Sequence, residues 1–231
     1  MAKLNVIFED DAILVCKKEA GIPTQSAKVS EKDMVSIAKG YLFEKNFQKG
    51  EPYLGLIHRL DQPVEGILLL AKTPESAKLL SRQIQEGKMQ KKYLAVTCGH
   101  ISQKKDVLTN YLIKENRSNL SKVVGETVKD AKLAKLEYII LEEKGEQNLV
   151  EINLFTGRHH QIRVQLAHIG MPLWGDTKYN PLFKERSGWF QIALCAYQLE
   201  FEHPITNKKM IFNIMPTSDS FKKFDFIKKK E

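Results

Sequence analysis

Apolar residues in this chain fall in short runs and alternations, with no long stripe. Asn5-Val6-Ile7-Phe8 and Ile13-Leu14-Val15-Cys16 read as two strands joined by a turn at Glu9-Asp10-Asp11. Ser30 is expected to cap a helix over residues 31–45, where Val35, Ala38 and Leu42 recur at helical spacing. From Ile67 to Ala71 the apolar run is unbroken between Gly66 and Lys72-Thr73-Pro74, which predicts a strand buried on both faces. Thr73-Pro74-Glu75 then opens a helix with a cap, a proline at the first position and an acid in the first turn. Ala77, Leu80 and Ile84 form its buried face, and Gly87 ends it.

Lys91-Lys92-Tyr93-Leu94-Ala95-Val96 reads as a further strand, residues 131–138 as another, and Val150, Ile152 and Leu154 alternate with polar neighbours in a third. Ile162, Leu166 and Ile169 predict one face of a helix closed by Gly170, with His159 and Arg163 four apart on a neighbouring face. Residues 189–201 and 210–214 read as closing strands. Residues 102–130 are the least core-like part. They are either an arm that grips a phosphate backbone through scattered lysines or a solvated hairpin or loop. The basic tail over residues 217–231 interleaves Phe221, Phe224 and Phe226 with lysines, which suits either contact with RNA or local packing.

Composition narrows the class. At 231 residues and 42% apolar content the chain supports one sizeable domain or two small lobes. A net charge of +8 favours polyanionic partners. The three cysteines are far apart, which argues against a disulfide framework or zinc site and for buried thiols in a reducing compartment. No secretory signal or membrane-length apolar run is visible, so the expectation is a cytosolic, cytoplasmic protein with no membrane partner. His159 and His160 are adjacent without a completing carboxylate or cysteine, so no metal site is expected.

The candidate chemistry sits before the most apolar strand, in His58-Arg59-Leu60-Asp61. If this tetrad is extended, Arg59 and Asp61 share one face, and His58 and Leu60 the other. Taken alone, such an Arg and Asp are ordinarily a solvated pair. In context, His-Arg-Leu-Asp, a turn, Gly66, an apolar strand and Ala71-Lys72 resemble the core motif of the RluA family of pseudouridine synthases. Lys18, Ala20 and Gly21 are similar to its opening motif, with Glu19 where proline is usual. Lys91-Lys92-Tyr93-Leu94-Ala95-Val96 and Thr156-Gly157-Arg158-His159-His160-Gln161-Ile162-Arg163 resemble two more, and Gly170 through Asp176 and Tyr179 fit the continuation of the last. One departure stands out: Val64-Glu65 replaces the usual Thr-Ser, and a carboxylate near RNA would repel phosphate.

The resemblance covers Val6 to about Pro216 and implies a single pseudouridine synthase catalytic domain over 1–231, without a small RNA-binding S4 domain. The implied fold is α+β, a mixed, mostly antiparallel central sheet flanked by a few helices with a central basic cleft. The implied activity is isomerisation of specific uridines to pseudouridine in structured ribosomal or transfer RNA. Asp61 would be the catalytic nucleophile or base, Arg163 its partner and Tyr93 the residue that stacks on the target base. RNA contacts are expected from His58, Arg59, Lys92, Arg158, His160 and Gln161. The reaction involves no redox change and consumes no water, so no cofactor is expected, and a monomer is. Two other readings are a non-catalytic RNA-binding or ribosome-assembly factor, and a hydrolytic glycosidase needing Glu65 as second acid.

Overall fold

The computed structural model describes residues 4–26, 32–45, 50–99, 103–115 and 117–229. In chain order the elements are β1 (Asn5–Glu9), β2 (Ile13–Lys18), α1 (Met34–Lys45), β3 (Gly55–Leu56), β4 (Glu65–Ala71), α2 (Pro74–Gln85), β5 (Gln90–Cys98), β6 (Lys105–Glu115), β7 (Leu120–Val124), β8 (Lys132–Lys144), β9 (Gln147–Leu154), α3 (Gln161–His168), α4 (Pro181–Lys184), β10 (Leu194–Glu202), β11 (Lys209–Asn213) and α5 (Asp225–Lys228). The architecture is α+β, the class expected. The chain divides into two compact units, Met1–Met89 with Gln198–Ile214, and Gln90–Tyr197 with Met215–Glu231.

In the first unit β2 lies between β1 and β4, and β3 also pairs with β4, all antiparallel. The unbroken apolar run makes β4 buried at every position. Side chains alternate across a strand, so β2 and β4 feed two cores. Ile13, Val15, Ile67, Leu69 and Ala71 join Leu80 of α2 with Leu199 and Phe201 of β10. Leu14, Cys16, Leu68 and Leu70 join Met34, Ala38 and Leu42 of α1. Truncating one such leucine costs about 2–5 kcal/mol.

Both helix starts are set by side chains that meet the orphan amides of the first turn. Thr73 accepts the Ser76 amide, and Pro74 opens α2 as predicted. Helix α1 starts later than expected, at Met34, because Asp33 caps it. The Asp33 carboxylate accepts the Ser36 amide at 2.7 Å, and the Ser36 hydroxyl returns to the Asp33 amide at 3.1 Å. The expected cap Ser30 and first residue Glu31 lie outside the described residues.

In the second unit the strand order is β5-β9-β8-β6-β7, with antiparallel pairings. Residues 102–130 supply β6 and the hairpin to β7; Ser102 and Asn116 of this stretch lie outside the described residues. Only Leu108 and Leu112 of β6 are buried, a spacing of four that hides a strand's period of two from the sequence. Val164 of α3 packs on Leu112 and Ala134. The closing strand begins at Leu194, so residues 189–193 are not part of it.

The tail packs locally. Phe221, Phe224 and Ile227 are fully buried, and the Glu142 carboxylate of β8 accepts the Asp225 and Phe226 amides at 3.1 and 3.0 Å, capping α5. Phe221 and Phe224 therefore have no face to offer a nucleotide. Phe224→Ala should lower unfolding free energy by about 3–5 kcal/mol in urea titration, with RNA affinity of the folded variant unchanged.

Candidate active site

Asp61 sits on the loop between β3 and β4, half-buried, two residues after the exposed Arg59. Leu60 is buried between them. The loop is held to residues 18–24 by a dense set of bonds. The Thr24 hydroxyl donates to the Leu60 carbonyl at 2.7 Å and accepts the Leu60 amide at 3.1 Å. The Gly21 amide donates to the Gln62 carbonyl at 2.8 Å, and the Gln62 side chain returns to the Gly21 carbonyl at 3.1 Å. The Val64 amide closes a turn onto the Asp61 carbonyl at 3.1 Å.

Lys18 lies at the centre of this set. It is fully buried, and its ammonium donates to the carbonyls of Val64 at 2.6 Å, Gln62 at 3.1 Å and Glu19 at 3.1 Å. Three donors meet three acceptors. Burial pushes the Lys18 pKa down to about 8, against the pull of the Asp61, Glu19 and Glu65 charges. A buried cation thus stands within electrostatic reach of Asp61. On the other side of the loop, His58 accepts the Leu69 amide of β4 on Nε2 at 3.2 Å, which ties the start of the tetrad to the central strand.

The Val64-Glu65 departure resolves inward. Val64 and Glu65 are 2% and 1% exposed, and the Glu65 carboxylate lies 3.6 Å from the Lys17 ammonium. It turns away from solvent, so it neither repels a phosphate nor offers the second acid that a glycosidase needs. Glu19, the other departure, reaches the same ammonium at 3.7 Å.

In the second unit, β5 places Tyr93 opposite Ile152, which faces Tyr138 in turn, a row on the buried side of the sheet. Lys92 points the other way, opposite Asn153, and pairs with Glu151 at 3.2 Å. Arg163 on α3 is 4% exposed. Its Nε and Nη2 donate to the two oxygens of Asp176, each at 2.8 Å, a bidentate fork. Asp176 also accepts the amides of Lys178 and Tyr179, and the Tyr179 ring lies 5.3 Å under the guanidinium. Gly175, at φ +80°, permits this turn, since a Cβ there would run into the Gln191 carbonyl.

Helix α3 begins at Gln161, so His159 and His160 lie in the turn before it and the helical spacing of His159 and Arg163 does not apply. His160 is left-handed at φ 52°, which stacks the two imidazoles at 3.8 Å where a helix would splay them. The Tyr179 hydroxyl accepts the Ser121 amide at 2.6 Å and shares a hydrogen bond with His160 Nδ1 at 2.9 Å. Burial, and then the Arg163 charge, hold the His160 pKa down at about 2. The Gln161 side chain accepts from Thr156 and the Arg158 amide and donates to the Lys135 carbonyl, pinning the turn to β8. Arg158 is exposed, with Nε on the Leu133 carbonyl at 2.8 Å.

Of the expected residues, His58, Arg59 and Asp61 share one loop, while Arg158, His160, Gln161 and Arg163 share one turn and helix. Arg59 and Arg158 are the exposed cations among them. His160 and Gln161 are committed to internal bonds. Thr24, Asp176 and Tyr179, which hold these groups, carried only weak signals: Asp176 and Tyr179 close a motif, and Thr24 stands in none.

Comparison with known proteins bears on family and fold. The sequence profile described as RNA pseudouridylate synthase matches residues 12–168. The chain is 30% identical over 228 residues to a tRNA pseudouridine synthase C of Haemophilus ducreyi, covering 92% of this chain and 91% of that protein. It is 30% identical over 215 residues to a ribosomal large subunit pseudouridine synthase D of Nitrosomonas europaea, covering 90% of this chain and 61% of that one, so the chain spans about three-fifths of the latter's length. Among solved structures it is similar in fold to the human RNA Pseudouridylate Synthase Domain Containing 4, with TM-score 0.77, 21% identity, and coverage of 94% of this chain and 90% of that one. Matched by the family's profile over more than half its length, with RluA-type motifs in order along it, the chain belongs to the RNA pseudouridylate synthase family.

Proposed function

We propose that this protein isomerises uridine to pseudouridine in ribosomal or transfer RNA, with Asp61 as the catalytic carboxylate. The observation that carries the reading is the locked Asp61 turn: a half-exposed acid on a loop whose carbonyls are held by a buried lysine and whose neighbour Leu60 is clamped by Thr24. Such rigidity keeps a reacting group in place at little cost when substrate arrives. The chemistry breaks the C1′–N1 bond, turns the uracil and joins C5 to C1′, and the C5 proton is replaced by one on N1. Atoms and electrons balance without oxidant or water, so no cofactor is needed.

Asp61 either attacks C1′ or removes a sugar proton, and both routes use the ionised carboxylate. The resemblance assigns Arg163 as its cationic partner, and Asp176 orients that guanidinium. Tyr93 stacks on the detached uracil. A uridine stacked in a helix must first be flipped out, at about a few kcal/mol, and the exposed Arg59 fills the gap it leaves. Arg158 and the +8 charge draw in the phosphate backbone. The protein works as a cytoplasmic monomer; among the described residues no helix is long and apolar enough to cross a membrane.

Tritium release from RNA labelled at uracil C5, drawn from cells lacking the protein, tests the reading. Wild type should release tritium from either the ribosomal or the transfer pool, and Asp61→Asn from neither, while both bind that RNA with affinities within about threefold. Release by Asp61→Asn at the wild-type rate would remove Asp61 from the chemistry. RNA binding without release by wild type would favour a binding factor.

Lys18→Met should lower kcat by about 100-fold with KM nearly unchanged, because the turn loses its anchor. Lys18 also predicts a pH signature. Its ammonium loses its proton as pH rises through about 8, so wild-type kcat should fall there. The stability sign is opposite. Between pH 8 and 10.5 the unfolded chain holds a proton on Lys18 that the folded chain has lost, so wild type should gain stability relative to Lys18→Met across that window in urea titrations.

A further inference from the structure

Several lysines around the second unit's sheet are paired, Lys92 with Glu151 at 3.2 Å, Lys104 with Glu143 at 2.8 Å and Lys105 with Glu137 at 3.0 Å, while Lys114, Lys132 and Lys135 stand exposed to water. Lys91 is different. It makes no hydrogen bond or ion pair among the described residues, although it is half-buried. It stands two residues before Tyr93 on β5 and so shares the Tyr93 face, whereas Lys92 points to the opposite one. At the end of the strand its ammonium lies 3.7 Å from where a Cβ on Gly157 would be. Gly157 is exposed and has no positive φ that would demand glycine. A side chain there would sit in ordinary contact with the ammonium, and glycine leaves that side of it uncovered. The next residue, Arg158, is exposed, and its fixed Nε on the Leu133 carbonyl leaves the rest of the guanidinium uncommitted among the described residues.

We propose that Lys91, with the open backbone at Gly157 and the guanidinium of Arg158, grips a phosphate of the RNA strand that carries the target uridine. The inference rests on the RNA-modifying reading above. A half-buried ammonium without an anion is unfavourable, and burial lowers the Lys91 pKa accordingly. A phosphate supplies the missing charge and enough acceptor oxygens for three N–H donors, which a base edge or a single carbonyl does not. The glycine lets phosphate oxygens approach the main chain. The position, on the Tyr93 face two residues from the ring, sets one phosphate at a fixed offset from the base that Tyr93 stacks on. Lys91 thus sets strand register, and Lys92 is a structural partner of Glu151.

The test is the salt dependence of RNA binding, measured by filter retention of a substrate RNA between 50 and 300 mM potassium chloride, roughly the range over which counterion release is read. Each phosphate contact contributes a little under one to the slope of log affinity against log salt. Lys91→Met should reduce the slope by about one and raise KM for tritium release about tenfold, with kcat nearly unchanged. Lys91→Arg should restore both, and Lys209→Met, at a lysine paired with Glu200, should leave the slope alone. Replacing the phosphates flanking the uridine by neutral methylphosphonates should weaken wild type and leave Lys91→Met indifferent. An unchanged slope in Lys91→Met, or a loss confined to kcat, overturns the proposal. The slope is read without turnover, so a wild type that binds RNA in this way yet releases no tritium would remove the isomerase reading and keep the phosphate site.

Discussion

The arrangement of the first unit depends on one buried ammonium. Lys18 gives up its water for three main-chain carbonyls, two of them in the turn that carries Asp61. An uncompensated buried charge is among the most costly features a fold can hold. Its partners here are carbonyl dipoles that cannot leave without breaking the turn. The cost of burial is therefore also a constraint: the loop between β3 and β4 has one conformation in which Lys18 is satisfied. The Thr24 hydroxyl and the Gly21 backbone tighten the same loop from neighbouring positions. β4, buried along its whole length, gives the loop a base that does not move.

The second unit reaches rigidity by another route. Arg163 is locked by a bidentate carboxylate, and Asp176 spends its remaining acceptor capacity on the amides of its own turn. Tyr179 links that turn to Ser121 of β7 and to His160. Deleting one member of such a network leaves the others buried and short of partners, which is costlier than the bond itself. The neutral His160 fits this logic. A proton added there would place a second cation beside Arg163 in a poorly solvated pocket.

The two departures from the family pattern converge. Glu19 and Glu65 are 46 positions apart in the chain, yet both lie within 4 Å of the Lys17 ammonium. A carboxylate in place of a hydroxyl is tolerated because strand β2 brings a cation to meet it. The loop keeps its geometry through an ion pair, and the charge that looked hostile to RNA never reaches the surface.

Local chemistry alone determined several elements. The apolar run of β4 needs burial on both faces whatever surrounds it, and Thr73-Pro74 starts a helix through its own side chain and ring. The order of the motifs pointed to Asp61, Tyr93 and Arg163 as the expected catalytic residues. Other features were decided only by tertiary structure, because their determinants are distant in the chain. The strands of residues 102–130 exist because β8 supplies a ladder, and their own pattern shows two buried leucines at helical spacing. The histidine pair leaves the helix because His160 is left-handed and held by Tyr179, while the Ser121 hydroxyl holds His159. Which of two adjacent lysines shares the Tyr93 face depended on strand register against β9, and how the buried Glu65 carboxylate is paired depended on Lys17 across a strand pair. Periodicity reports which faces are apolar. It does not report which polar partner waits on the other side, and here those partners determine the geometry around Asp61 and Arg163.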